Sequence, residues 1–256
     1  MKIEIKEITT IEELEQMQRI EEVVWQETPI PLHQTLTALR NGGVIIGAFL
    51  KGEMIGFQYS FPGFDGNEIY LVSHSLAILP AYRKSGIGEK IKRKQRDVAA
   101  HKGYDKMIWT FDPLQSVNAF LNLHKLGAIA TTYKENYYGM MDDGLNKGLA
   151  SDRFVVEWKC KQEQEALAVS FDPSKVLVEM DQNKEPIRTN VIFQNESDKW
   201  FIAIPKNIQE IKEENLELAI KWRTMTRELF QLLFSNGYKG RYVIRDENVS
   251  YYCFVK

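Results

Sequence analysis

Cysteine is scarce in this chain, with two in 256 residues, and histidine scarcely less so, with four. Cys160 and Cys253 lie far apart and form no CxxC unit, which leaves no thiol metal knuckle or disulfide framework and fits a reducing compartment. His33, His74, His101 and His124 are scattered and match no metal-ligand spacing, so no metal is expected. There is no Gly-x-Ser-x-Gly elbow and no Cys/His arrangement for covalent catalysis. A large excess of charge is missing too. The net charge of −2 argues against a general nucleic-acid or membrane-surface partner. The N-terminal Met-Lys-Ile-Glu-Ile-Lys-Glu-Ile alternates charge with isoleucine and has no apolar stretch long enough for a signal peptide or membrane span. A soluble, cytoplasmic protein is the expectation.

What remains is an ordinary globular composition, 44% hydrophobic and 27% charged, in a chain long enough to bury a proper core. Period-two alternation over Ile3 and Ile5 predicts a first strand. Thr10 with Glu13 makes a capping box, and Ile11, Leu14, Met17, Ile20 and Val24 follow at helical spacing. A second short helix is predicted over His33–Arg40. Val44–Leu50 and Met54–Tyr59 read as strands joined by a Lys51-Gly52-Glu53 hairpin. A long strand over Ile69–Leu79, a helix over Ile87–His101 and a strand over Lys106–Phe111 follow. A helix over Asn118–Leu126 closed by Gly127 comes next, then strands over Thr131–Tyr138 and Phe154–Lys159. Lys161–Glu165 reads as a polar connector. Beyond it, short strands are predicted at Val176–Glu179, Asn190–Phe193 and Trp200–Ile204. A helix over Glu213–Phe234 and terminal strands over Arg241–Arg245 and Val249–Val255 complete the tail, which is too aromatic for a disordered linker.

The most informative stretch is Leu76-Ala-Ile-Leu-Pro-Ala-Tyr-Arg-Lys-Ser-Gly-Ile-Gly88. An apolar strand ends at Pro80, and a basic turn with Arg83, Lys84, Gly86 and Gly88 opens directly into a charged helix. Such a turn lets backbone N–H groups approach a phosphate without Cβ interference, at the positive end of a helix dipole. The third glycine of a dinucleotide fingerprint would fall at Ile91, and no Gly-Lys-Ser/Thr follows for a Walker-type loop.

Arg83-Lys-Ser-Gly-Ile-Gly88 resembles the Arg/Gln-x-x-Gly-x-Gly/Ala pyrophosphate loop of the GNAT superfamily of N-acyltransferases. The predicted order of strands and helices over about residues 1 to 160 is similar as well. Trp109-Thr-Phe-Asp-Pro113, Lys125-Leu-Gly-Ala128 and Ser151-Asp-Arg153 resemble stretches of a predicted bacterial subgroup with a longer tail. The resemblance implies an α/β (α+β) fold with a central mixed, mostly antiparallel sheet splayed at the cofactor site. It implies a GNAT domain at 1–160 and a smaller α+β extension at 161–256 packed on it. It also implies acetyl-CoA or another acyl-CoA as co-substrate and transfer of an acyl group, acetyl first, to the amine of a small acceptor. Two alternatives stay open: a non-catalytic CoA-binding sensor, and transfer of a larger acyl group such as succinyl to an amino acid.

Carried over residue by residue, Leu76, Ala77 and Ile78 are expected along the pantetheine arm. Arg83, Lys84, Ser85, Gly86, Ile87 and Gly88 are expected at the pyrophosphate, and Asn118, or Ser116, as a hydrogen-bond partner of the pantetheine arm. The basic run from Arg83 to Arg96, with Lys90, Lys92, Arg93 and Lys94, is either a solvated helix face or partly a contact for the 3′-phosphate. The family's helix tyrosine, a general acid toward sulfur, falls on Leu123 here, beside His124, so Tyr133, Tyr137 and Tyr138 are the substitutes. His74 is the candidate base, since a neutral imidazole accepts a proton near pH 7. Glu68 is the runner-up. Asp112, Arg153, Arg223 and Arg227 are candidate acceptor contacts, against the alternative that they pair internally or face solvent.

Overall fold

The structure is a computed structural model that describes residues 2–139, 141, 147–162 and 169–256. The chain divides into two compact units, one of Met1–Trp109 with Trp158–Glu163, the other of Thr110–Glu157 with Gln164–Lys256. The breaks fall at 109/110, 157/158 and 163/164, the first two of them inside strands.

The first unit opens with β1 (Glu4–Glu7), α1 (Ile11–Trp25) and α2 (Leu32–Arg40). It continues through β2 (Val44–Leu50), β3 (Glu53–Phe64), β4 (Ile69–Ile78), α3 (Ile87–His101) and the start of β5 (Lys106–Phe111). The capping box forms as read: the Thr10 side chain accepts from the Glu13 N–H at 3.3 Å, and Glu13 Oε2 accepts from the Thr10 N–H at 3.3 Å. Strand order is β1-β2-β3-β4-β5. The first three pairings are antiparallel, and β4 pairs with β5 in parallel. Leu14, Met17 and Ile20 of α1 close over Ile45, Phe49, Phe57, Tyr59 and Ala77, with Trp25 and Ile30 packed at the margin.

Within this core α1 grips the α1–α2 connector by one residue. Gln18 Nε2 donates to the Ile30 carbonyl at 2.8 Å, and the Ile30 N–H donates to Glu21 Oε2 at 3.2 Å. Glu21 is 3% exposed, and burial pushes its carboxyl up to about 7 despite that hydrogen bond.

The second unit holds the end of β5, α4 (Ser116–Ala119), β6 (Ile129–Lys134), most of β7 (Arg153–Lys159), β8 (Val176–Met180), β9 (Pro186–Arg188) and β10 (Lys199–Pro205). α5 (Ile208–Glu214), α6 (Leu216–Ser235), β11 (Lys239–Arg245) and β12 (Val249–Val255) complete it. Its strands run in the order β7-β6-β11-β12-β10-β8-β9. All these pairings are antiparallel except β8 with β10. Phe154, Phe230 and Tyr252 stack edge to face in its core, with centroids 4.7 to 5.5 Å apart. The mixed, mostly antiparallel strand pattern expected from the sequence is present in each unit.

Several local readings need correction. The strand expected over Thr131–Tyr138 stops at Lys134, because residues 135–138 form a turn that Asp152 and Ser151 hold by side-chain bonds to the N–H groups of Asn136 and Tyr138. Asn190–Phe193 is irregular, and the strand lies earlier, at Pro186–Arg188, where β8 supplies a partner. The helix read over Glu213–Phe234 is two helices. Asn215 takes an extended backbone and its side chain caps α6 by accepting from the Leu218 N–H at 3.1 Å. The helix read over Asn118–Leu126 starts at Ser116 and widens after Ala119 into a π-helical turn, Phe120–Lys125. Of the polar connector at Lys161–Glu165, residues 163–165 lie outside the described residues.

Two predictions follow from this packing. β6 meets β11 at Ala130 and Gly240, where an added Cβ would come within 3.1 Å of the Ala130 Cβ and 3.6 Å of a Leu123 methyl. Gly240→Val is therefore expected to lose about 1–3 kcal/mol in urea unfolding, and wild-type stability would contradict the close approach. For Glu21, the folded pKa lies above the unfolded value of about 4.3, so the native state binds the extra proton between the two. Its contribution is thus favourable below that window and is lost as pH rises toward about 7. Glu21→Gln is expected to match wild type near the low end and to exceed its stability above the window. Identical pH profiles for the two proteins would contradict this.

Candidate active site

In the first unit, the register of β3 with β4 passes from Tyr59↔Ser75 to Ser60↔Ser73, so His74 is the extra residue of a β-bulge. A bulge re-aims the side chain it carries. The His74 ring sits at the surface against Tyr59 and Phe61, with centroids 5.9 and 5.6 Å away, and this apolar setting lowers its pKa. Neutral imidazole is the form a general base needs. Glu68 at the strand start pairs with Lys106, also at the edge of this unit.

β4 pairs with β5 only at Leu71↔Met107 and Val72↔Ile108 among the described residues. The strand then continues to Ile78 with β3 alone beside it, which leaves its other backbone edge, through Leu76, Ala77 and Ile78, open for a ligand. This is the splay that the resemblance implied. Where β4 ends, Pro80–Tyr82 makes a single tight turn, and Arg83 folds back so that its Nε donates to the Ile78 carbonyl at 3.1 Å. The Ser85 hydroxyl donates to the Tyr82 carbonyl at 2.5 Å. Lys84 and Gly86 both take left-handed backbone, with φ of 61° and 77°. Gly86 is the N-cap of α3, so no side chain caps the first turn, and nothing lies within 4 Å of where its Cβ would be. Arg83, Lys84, Ser85 and Gly86 are exposed, Ile87 is buried beneath them, and Gly88 is half-buried in the first helical turn. An open, cationic, uncapped helix N-terminus with space above a glycine is a cradle that fits a pyrophosphate.

The basic run beyond the loop is not uniform. Arg93 pairs with Glu89 at 3.0 Å on the surface. Lys92 is 3% exposed, so it is not part of a solvated helix face, one of the two readings offered for the run. Its Nζ donates to Ser73 Oγ at 2.8 Å and lies 3.7 Å from the centre of the Trp109 ring. Ser73 Oγ in turn meets Gln58 Nε2 and Gln95 Oε1. Burial brings the Lys92 ammonium down to about 7. The available signal was the apolar stripe of α3, Ile87, Ile91 and Ala99, which Lys92 and Gln95 interrupt on its buried face.

In the second unit the candidates gather around one buried carboxylate. Asp152 is fully buried. It accepts from Arg227 Nε at 2.9 Å, from Arg227 Nη2 at 3.1 Å, from the Asn136 N–H at 2.9 Å and from the Tyr133 hydroxyl. Burial, and then the hydrogen bond to Asp152, push the Tyr133 phenol upward. Arg227 also pairs with Glu135. Arg153 is 7% exposed, donates to the Asp152 carbonyl at 2.8 Å and places its guanidinium 5.3 Å from the centre of the Tyr138 ring. Tyr137 packs edge-on to Tyr138 at 4.7 Å, and both are exposed. The Tyr138 hydroxyl is 2.9 Å from Thr110 Oγ1, near the end of β5.

Just beyond, Asp112 accepts from the Leu114 N–H at 2.9 Å and from Arg223 Nη2 at 2.7 Å, an ion pair in which the arginine is 3% exposed. Asn118 is exposed on α4, whereas Ser116 is buried and bonds Ser250 at 2.8 Å. Leu123 is 1% exposed, in the core rather than at a surface where a proton donor works. His124 stacks on Phe120 at 4.2 Å and lies 4.5 Å from Tyr242. Among the described residues there is no cluster of His, Cys, Asp and Glu able to hold a metal, and no helix long and apolar enough to cross a membrane.

Comparison with known proteins bears on the family and the fold. Residues 9–128 match the family model of the acetyltransferase (GNAT) family. No curated protein sequence matches the chain. Among solved structures, the ribosomal-protein-S18-alanine N-acetyltransferase of Escherichia coli is 17% identical, with a TM-score of 0.51, covering 66% of this chain and 100% of its own. An N-acetyltransferase of Staphylococcus aureus Mu50 is 18% identical, with a TM-score of 0.50, covering 63% of this chain and 100% of its own. The Salmonella typhimurium protein yncA, solved with its cofactor acetyl-CoA, is 16% identical, with a TM-score of 0.50 over 66% of this chain and 100% of its own. Residues 9–128 thus match a GNAT acetyltransferase domain, and the fold is one that solved N-acetyltransferases share.

Proposed function

We propose that this protein transfers an acyl group from acyl-CoA to the amine of a small acceptor by direct attack. The observation that carries this reading is the loop Arg83–Gly88, with its left-handed Gly86 at an uncapped helix N-terminus and open space above it. The bound thioester supplies an activated acyl carbon and a thiolate leaving group. The free edge of β4 past Val72 orients the arm that carries it, and Arg83 and Lys84 balance the phosphate charge.

His74, neutral beside Tyr59 and Phe61, takes the proton that the amine sheds as its nitrogen bonds to the acyl carbon. As the carbon–sulfur bond breaks the leaving sulfur takes up a proton, for which Tyr133, Tyr137 and Tyr138 are the candidate donors. Tyr138 is preferred among the three tyrosines because its hydroxyl is exposed at the end of β5. Tyr133 is buried and bonded to Asp152, which in that order raise its pKa away from that of a useful acid, and Tyr137 packs its ring on Tyr138. For the four acceptor candidates we assign a positioning role. Asp152 holds Arg227 and the turn at Asn136, Arg153 stacks on Tyr138, and the Asp112–Arg223 pair fixes the chain after β5.

Gly86→Val is expected to weaken CoA binding by about a hundredfold in calorimetry, since a branched side chain both strains φ of 77° and fills the cradle. Unchanged affinity in a folded variant would refute the loop assignment. Tyr138→Phe is expected to lower kcat by about 10²-fold with CoA affinity kept, whereas Tyr133→Phe acts mainly on stability. Turnover is followed as free thiol released from acetyl-CoA across a panel of small amines. CoA binding without thiol release from any amine would favour the non-catalytic sensor, a reading for which the buried Leu123 speaks.

A further inference from the structure

We propose that Lys92 selects the acyl group, by receiving the terminal carboxylate of a dicarboxylic acyl-CoA. The inference rests on the acyl-CoA reading above and deepens it. β4 and β5 last pair at Val72 and Ile108, and Lys92 touches the next residue of each strand, Ser73 by its hydroxyl and Trp109 by its ring. The ammonium therefore stands where the splay closes, opposite the loop end of β4.

An ammonium has three donors, and one of them is spent on Ser73. Among the described residues no carboxylate lies within ion-pair distance of Lys92. Its hydrogen-bonded surroundings are neutral: Ser73, Gln95 and Gln58. Gln58 Oε1 and Gln95 Nε2 are buried without a hydrogen-bond partner among the described residues. The titratable neighbours offer no anion either. Burial pushes the Cys160 thiol up to about 11, which keeps it protonated, and Arg96 lies over Trp158 at 4.8 Å.

A buried cation without a counter-ion is costly, and the Trp109 face offsets only part of that cost. Its ionisation near neutrality, with a pKa of about 7, expresses the penalty. Acetyl brings no charge to this point. An acyl tail ending in carboxylate supplies the missing anion and engages the remaining donors. The reaction itself is unchanged, since the distal carboxylate takes no part in the bonds made or broken.

The test compares CoA, butyryl-CoA and succinyl-CoA by calorimetry on the full chain, in wild type and Lys92→Met. Succinyl-CoA is expected to bind wild type about tenfold more tightly than butyryl-CoA, a tail of the same carbon count without the charge. An anion beside Lys92 raises its pKa, so succinyl-CoA binding is also expected to take up a proton at about pH 8, read from the dependence of the heat on buffer ionisation. Lys92→Met is expected to lose both differences and to keep CoA affinity. Equal affinity of wild type for the two acyl-CoAs, with CoA itself bound, would overturn the inference and leave the cofactor reading standing. No binding of CoA would overturn the cofactor reading and this inference with it. Should Lys92→Met fail to fold, the wild-type affinity ratio and proton uptake still decide.

Discussion

Parallel pairing between β4 and β5 stops after Val72 and Ile108, and the chemistry assigned to the first unit follows from that stop. A parallel strand that kept its partner to the end would spend its N–H and C=O groups on the sheet. Here the strand runs on past its last contact with β5 and presents an unpaired edge that leads straight to the Gly86 turn. What lies at the branch point is polar: Lys92, Ser73, Gln58 and Gln95 form a small buried network against Trp109. Apolar side chains at these positions would bury more cheaply. The bulge at His74 falls beside the same point, so backbone irregularity, buried charge and the candidate base meet within two residues of β4.

The second unit solves a different problem, that of holding an exposed tyrosine still. Asp152 is a buried anion, and such an anion is tolerable only when fully bonded. Arg227 supplies the opposite charge, and Tyr133 and the Asn136 N–H supply further donors. Those bonds fix the start of the turn that carries Tyr137 and Tyr138. Ser151 fixes its end through the Tyr137 and Tyr138 N–H groups. Arg153 then closes on the Tyr138 ring. Two of the tyrosines that look alike in sequence thus part company, one as a donor to a buried carboxylate and one with its hydroxyl at the surface.

Much of this was legible from residues alone. Thr10 and Glu13 announce α1, and the apolar run before Pro80 with the two glycines after it marks the fold family and the turn proposed as the phosphate cradle. These signals are local, and local signals survive in a sequence. The readings that failed depend on distant partners. The extent of β6 is set by Asp152, some twenty positions on, and the location of β9 by its neighbour β8. Lys92 sits in a run of cations and looks solvated, and only its place on the stripe of Ile87, Ile91 and Ala99 betrays its burial. The break at Asn215 was readable as a cap, but the helical periodicity on both sides of it masked the signal.

In the proposed complex acyl-CoA lies along the free edge of β4 and ends on the N-terminus of α3. Amide hydrogen exchange with and without CoA tests it most directly, because protection reports backbone groups one stretch at a time. Slowed exchange is expected from Ser73 to Ile78 and from Lys84 to Lys90, with strands β8 to β12 unaffected. Protection confined to the second unit's terminal strands, with exchange at Lys84–Lys90 unchanged by saturating CoA, would contradict it.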